Sequence, residues 1–147
     1  MGGYTVLALA GGRPTAGPHE TADGQIRPVS VSPDPRVRAL VLLAPACVWF
    51  WSDGALDDVV MPILMLTAEK DELASHLKVA FVQRVGDPVR LEHRVVPKAG
   101  HHAFQSPFPP QMARPHFPPS RDPEGFDRAA FQPILYADIL SFLQDVL

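Results

Sequence analysis

Apolar segments alternate with polar, proline-rich stretches along the chain, and their spacing predicts the elements of the fold. Residues Tyr4 to Ala10 are apolar almost throughout and are followed by Gly11 and Gly12. This pattern predicts a short, heavily buried helix that ends in a left-handed glycine cap. The stretch from Arg13 to Arg36 is polar and rich in Pro, Gly and Ser, which predicts a surface connection.

Three further segments are typical of strands. The segment "VRALVLLAP" from Val37 is an apolar run that ends at a proline, as expected of a parallel strand covered on both faces. The segment "MPILMLTAEKDE" from Met61 repeats this pattern and then runs into charged residues. The segment from about Val89 to Val96 mixes polar and apolar residues, which favours a strand at the edge of a sheet.

Two stretches have helical spacing. The first apolar stripe consists of Leu73, Leu77, Ala80, Phe81 and Val85, and Gly86, Asp87 and Pro88 are expected to end that helix. The second stripe, in a helix predicted from near Asp127 to the end, consists of Ile134, Leu135, Ile139, Phe142, Leu143 and Val146. Pro133 is unfavourable inside a helix, so we expect the regular part to begin there. Strands that alternate with helices predict an α/β fold with a parallel sheet of about three strands.

Composition narrows the class of protein. The chain has 147 residues, of which 46% are hydrophobic and 20% charged, and this indicates one globular domain. A net charge of -3 gives no basic surface for nucleic acid or an anionic membrane. The longest apolar run, near Ala39 to Phe50, is broken by Pro45 and is too short to span a bilayer. The single cysteine, Cys47, is compatible with a reducing compartment, and without a recognisable secretory signal the cytoplasm is the default expectation.

Candidate chemistry follows the second and third predicted strands. "AEKDE" brings Asp71 after one strand, and "KAGHHAF" brings His101 and His102 after the next. Because open parallel sheets place their sites at the carboxyl ends of the strands, we expect a carboxylate and an imidazole to meet there. Such a pair forms two thirds of a nucleophilic triad. Without further information, Asp71 is equally compatible with an acidic residue at a solvated helix start.

The opening "MGGYT" resembles the second half of the nucleophile elbow G-x-S-x-G-G of α/β-hydrolases. The likeness is to the branch of dienelactone hydrolases and bacterial relatives of platelet-activating-factor acetylhydrolase, where Y-T-A-L commonly follows. Gly2, Gly3, Tyr4 and Thr5 match that pattern, and Met1 stands at the variable position after the serine. Further segments, "DPRVRALVLLAPA", "MPILMLTAEKDE" and "VVPKAGHHAFQSPFP", are similar to strands six to eight of the family and to its acid and histidine loops.

This resemblance implies a single, incomplete α/β-hydrolase domain over residues 1–147, corresponding to the C-terminal portion of the family fold. The implied activity is hydrolysis of a carboxylic ester or lactone through an acyl-serine, without a cofactor or metal. Asp71 is the implied triad acid and His101 the general base. Met1 and Gly2 are the implied remnant of the oxyanion hole, and the nucleophile is expected immediately before Met1. On that expectation the chain alone is inactive.

An open sheet edge supports an alternative function. In the family, the strand before the elbow pairs with the strand that begins here at Val37, so we expect this strand to present an apolar edge. Such edges favour pairing with another chain. The chain is then a non-catalytic interaction module, with a second copy or a complementing N-terminal half as its partner.

Other residues have a functional and a structural interpretation. Trp49 and Trp51 are candidates for an acyl pocket, but a loop cluster that covers the core explains them equally well. Cys47 is a possible nucleophile, although a lone cysteine is usually a small buried hydrophobe. His93, His101 and His102 lack the spacing of a zinc site. The serines of the later loops and of the connection lack the small neighbours of a nucleophile elbow: Ser30, Ser32, Ser52, Ser75 and Ser106.

Overall fold

A computed structural model describes residues 2–73, 90–114 and 116–147. Its helices and strands are α1 (Gly2–Leu9), β1 (Thr15–Ala16), β2 (Arg27–Pro28), β3 (Leu40–Leu43), β4 (Ile63–Ala68), β5 (Leu91–Val96) and α2 (Arg128–Val146). The helix predicted from Leu73 to Val85 lies outside the described residues, apart from Leu73 itself.

Strands β3, β4 and β5 form a parallel sheet in that order, as predicted. Every residue of β4 is buried, because β4 has a strand on each side and a packed layer on each face. Strand β5 lies at an edge, and its exposed Glu92 and Arg94 account for the mixed polarity of its sequence. Strand β3 is shorter than the predicted run, since it begins only at Leu40.

Two hydrophobic clusters cover opposite faces of this sheet. Ile63 and Met65 of β4 belong to the cluster that contains Leu7 of α1. Leu64 and Leu66 belong to the cluster that contains Leu135 of α2. This alternation follows from the two-residue period of a strand and gives a helix–sheet–helix arrangement.

At the end of α1 the backbone packs closely against the hydrophobic core. Gly11 has a φ of +107°, which side chains rarely adopt, and the Gly12 N–H donates to the Leu7 carbonyl at 2.9 Å. A Cβ on Gly12 would lie 2.7 Å from the buried Phe50 ring. The predicted glycine cap is therefore confirmed, and Gly12 is required for packing as well.

The connection from Arg13 to Arg36 is mostly exposed, as predicted, but it contains a structure that the sequence reading missed. Strands β1 and β2 pair antiparallel as a short hairpin. Asp23 and Gly24 lie between them, and Gly24 has a φ of +68°. Residues 17–26 join the two strands, so this Asp-Gly pair is not the two-residue turn that signals a tight hairpin.

Helix α2 starts near Asp127, as predicted, but its regular part begins before Pro133. Asp127 caps it by accepting a hydrogen bond from the Ala130 N–H at 3.0 Å, and Pro133 lies inside the helix instead of at its first position. The cap and the packing of α2 on the sheet outweigh the cost of the proline. The predicted apolar stripe is correct for Leu135 and Phe142, whereas Ile134 is 58% exposed.

Replacing Pro133 with Ala should stabilise the protein. The alanine supplies the backbone N–H that the Ala129 carbonyl lacks and removes a clash of the proline ring, while part of the gain is offset by a more flexible unfolded chain. We expect the free energy of unfolding to rise by about 1–3 kcal/mol in urea denaturation. Pro110→Ala is the matched control, because Pro110 occupies the first position of a short 3₁₀ turn and should give no such gain.

None of the described helices is both long enough and apolar enough to cross a membrane.

Candidate functional site

Two loops meet at the carboxyl edge of the sheet, one after β4 and one after β5. Ala68 and Val96 are in register at the ends of these strands. The Glu69 N–H donates to the Val96 carbonyl at 3.1 Å, and the Lys70 N–H donates to the Ala99 carbonyl at 2.8 Å. These backbone bonds join the two loops without any contribution from side chains.

The joined loops bring Asp71 and His101 together. The Asp71 Oδ2 atom lies 3.0 Å from the His101 Nδ1 atom, and the Asp71 Oδ1 atom accepts the Leu73 N–H at 2.9 Å. A carboxylate only accepts hydrogen bonds, so Nδ1 carries the imidazole proton. The Asp71 side chain is fully buried and that of His101 is 28% exposed. This arrangement fixes one tautomer and leaves the His101 Nε2 atom as the basic nitrogen.

A 3₁₀ turn from His101 to Phe104 carries the histidine. It starts after Gly100, where a Cβ would lie 3.0 Å from the Pro123 Cγ atom. Gly100 therefore allows the segment around Pro123 to pack directly on the start of the turn.

Helix α2 holds the other end of this turn. The buried Gln132 side chain donates through Nε2 to the Gln105 carbonyl at 3.2 Å and to the Ala103 carbonyl at 3.5 Å. Its Oε1 atom accepts the Tyr136 hydroxyl at 2.7 Å. One turn earlier, the buried Arg128 guanidinium donates to the Asp122 carboxylate and to the Pro119 carbonyl. The sequence reading missed both residues, because a polar side chain that faces inward is masked by an otherwise amphipathic helix.

His102 is packed against His101 without sharing its bond to Asp71. The two rings are perpendicular, with centroids 5.1 Å apart, and the buried His102 Nδ1 atom has no hydrogen-bond partner among the described residues. Burial lowers the pKa of His102 below its ordinary 6.5, and repulsion from His101 and Arg128 lowers it further against the attraction of Asp71. His102 is therefore a neutral packing residue, and Asp71 is engaged with His101.

The partly buried position of His102 and its lowered pKa should make the protein less stable in mild acid. As pH falls below 6.5, the unfolded chain binds a proton at His102 that the folded protein does not yet bind, so the free energy of unfolding decreases. In His102→Phe this contribution disappears, and urea denaturation between pH 8 and pH 5 should show a shallower loss of stability. His19→Phe at an exposed site is the control. An identical pH dependence in His102→Phe and the wild type would contradict the prediction.

The start of α1 lies at the same edge of the sheet as the two loops. A Cβ on Gly3 would come within 3.1 Å of the Pro45 Cβ atom, just after β3, whereas a Cβ on Gly2 would meet nothing within 4 Å. The small residue at Gly3 is thus explained by close packing against the end of β3. Met1 lies outside the described residues.

The aromatic residues after β3 divide into three environments. Phe50 is buried in the core, Trp51 is 52% exposed, and Trp49 packs edge-on against Tyr4. Trp49 lines a cavity, as expected of a pocket residue, but Trp51 is not among the described residues that line it. The pair predicted as a pocket is therefore not brought together.

The remaining candidates have structural roles. The Cys47 thiol is buried, and burial raises its pKa from 9.0 to about 12. His93 lies within β5 and its Nε2 atom is 2.9 Å from the Thr67 hydroxyl. The Ser52 hydroxyl is 3.1 Å from that of Thr15, on the connection. Among residues 2–73, 90–114 and 116–147, no three His, Cys, Asp or Glu side chains are grouped so as to hold a metal ion.

The geometry of Asp71 and His101 is suited to general acid–base chemistry. A buried carboxylate that orients a partly exposed imidazole can stabilise the imidazolium formed when Nε2 takes a proton. No family model, curated protein or solved structure matches the chain, so this assignment rests on the residues and their geometry.

Proposed function

We propose that this chain is the acid- and base-bearing portion of a serine-dependent hydrolase of carboxylic esters or lactones. The observation that carries the proposal is the 3.0 Å contact between the buried Asp71 carboxylate and the Nδ1 atom of the partly exposed His101. Asp71 holds and stabilises the histidine, and the Nε2 atom of His101 takes the proton of the nucleophile and returns it to the leaving group.

Two further observations support an α/β-hydrolase arrangement. The acid follows β4 and the histidine follows β5, which matches the chain order Ser, Asp, His of that fold. Helix α1 begins at the carboxyl edge of the sheet, packed on Pro45 through Gly3, where a nucleophile elbow would place its serine. In this proposal Gly2 belongs to the turn beside the oxyanion hole, and the serine precedes Met1.

The test uses the complete product of the gene in which this sequence lies. A fluorophosphonate probe should label one serine, identified by mass spectrometry, and p-nitrophenyl acetate should be hydrolysed. His101→Ala should abolish both signals, whereas His19→Ala, at an exposed position, should retain them. Full hydrolysis and labelling in His101→Ala would exclude the proposal.

A second candidate function rests on the free edge of β3. Within the described residues β3 pairs only with β4, and the Leu40 and Ala44 N–H groups bond to that side, so those of Val41 and Leu43 point to the other edge. A mainly apolar cavity of about 560 Å³, whose lining also includes Arg36 and Arg38, lies at the start of this strand, between Leu9 of α1 and Leu143 of α2. An apolar strand from a second copy or from a complementing N-terminal half would fit there.

Light scattering at micromolar concentration separates this candidate from an isolated domain. An interaction module should be oligomeric or should bind the N-terminal half, and Val41→Pro, which blocks an added strand, should reduce this association. A clean monomer that does not bind the N-terminal half would exclude the second candidate.

A further inference from the structure

A small cavity near the start of α1 has the chemistry of a cation site. It has a volume of about 240 Å³ and is lined by Tyr4, Ala16, Glu20, Val29 and Trp49. These residues come from α1, from the connection and from the 3₁₀ turn after β3. The lining includes neither Asp71 nor His101, and no Lys or Arg is among its described residues.

Two aromatic rings form walls of this cavity. The Tyr4 and Trp49 ring centroids are 5.3 Å apart and their planes meet at 75°. Tyr4 also packs against the buried Phe50, with ring centroids 5.8 Å apart, so contact with the core holds the Tyr4 ring in place. In an edge-to-face pair one ring keeps a face that the other ring does not cover, and such a face can offer π-electron density to a cation.

Glu20 supplies the opposite charge at the same place. Its Oε1 atom accepts the Trp49 indole N–H at 2.7 Å, and its Oε2 atom accepts the Gly17 N–H at 2.8 Å. These two bonds lower the pKa of Glu20, so the carboxylate is ionised at neutral pH. Each oxygen accepts one of these bonds and retains capacity for a further contact, and the bond to the indole fixes the carboxylate beside the Trp49 ring.

We propose that Tyr4, Trp49 and Glu20 form a binding site for a methylated organic ammonium group. Aromatic faces bind such cations well because methylated ammonium is weakly hydrated, whereas Na⁺ or a primary ammonium keeps its water more firmly. The carboxylate adds an attraction that a neutral group of the same shape does not receive. The site is independent of the proposed hydrolase activity.

The test compares choline with 3,3-dimethyl-1-butanol, its uncharged isostere, in equal total salt. Trp51→Phe leaves Trp49 as the only tryptophan of the chain, so its fluorescence reports binding at this site. We expect a saturable change with choline and about fivefold to thirtyfold weaker binding of the alcohol, the ratio that about 1–2 kcal/mol of cation–π and charge attraction gives.

Two variants test the assigned roles. Glu20→Gln can still accept the indole N–H through its amide oxygen, so it removes charge while it retains the geometry, and it should weaken choline binding about threefold to tenfold. Trp49→Leu should abolish saturation transfer to the choline methyl groups in NMR. Equal binding of choline and the alcohol, unchanged binding in Glu20→Gln, or no saturable signal would each overturn the proposal.

Discussion

Asp71→Asn should move the imidazole proton of His101 from Nδ1 to Nε2. The asparagine can still accept the Leu73 N–H through Oδ1, but its amide nitrogen then faces the His101 Nδ1 atom, which must become an acceptor. The proton shifts to the nitrogen that the proposed reaction needs as its base. Nitrogen-15 NMR of the imidazole distinguishes the two tautomers in the chain as it stands.

The same substitution should lower ester hydrolysis by the complete gene product about 10⁴-fold, the size of effect seen when a triad acid is replaced by its amide. Asp34→Asn is the matched control, because Asp34 pairs with Arg36 at the surface and should change neither the tautomer nor the rate. An unchanged tautomer would show that Asp71 does not orient His101. If the tautomer changes but hydrolysis is fully retained, Asp71 orients His101 structurally and the proposed catalytic role of the pair is excluded.

Folded protein should react with iodoacetamide about 1,000-fold more slowly at Cys47 than the urea-unfolded chain does at pH 8. The thiolate is the reactive species, and a rise of its pKa from 9.0 to about 12 lowers the thiolate fraction by about three powers of ten. Burial adds a barrier to the reagent in the same direction. Mass spectrometry of timed, quenched samples gives both rates.

A cysteine introduced at exposed Ser106 in the Cys47→Ala background is the control for reagent and conditions, and it should react at the same rate in both states. Cys47→Ala should also retain any ester hydrolysis of the complete product, since the Cys47 thiol is buried and its pKa is raised. Equal alkylation rates at Cys47 in the folded and unfolded protein would contradict its buried, protonated state.

The strands and helices with a strong hydrophobic pattern were predicted from the sequence. Continuous apolar runs identified β3 and β4, and the mixed pattern of β5 correctly predicted an edge, because burial is set by what covers each face. The start of α2 near Asp127 was predicted correctly, whereas the expectation that its regular part begins at Pro133 was wrong, because the Asp127 cap and tertiary packing outweigh the cost of the proline. The hairpin of β1 and β2 was missed because its strands have two residues each, too few for any period.

Prediction of the site had a similar limit. The residues that follow parallel strands were correctly expected to meet, and Asp71 and His101 do. What holds them was not predictable from the spacing, since Gln132 and Arg128 act from a helix about thirty residues further along the chain. The same holds for Glu20 and Trp49, which are separated by 29 residues and are joined by one hydrogen bond.

Hydrogen exchange of the Lys70 amide, which donates to the Ala99 carbonyl, reports how often the two loops of the site open. This amide is protected from hydrogen exchange only while the loops after β4 and β5 are closed on each other. Its exchange rate therefore measures how often Asp71 and His101 separate in the folded protein, without substrate and without catalysis. A rate close to that of the β4 amides would mean that the pair separates only when the sheet itself unfolds.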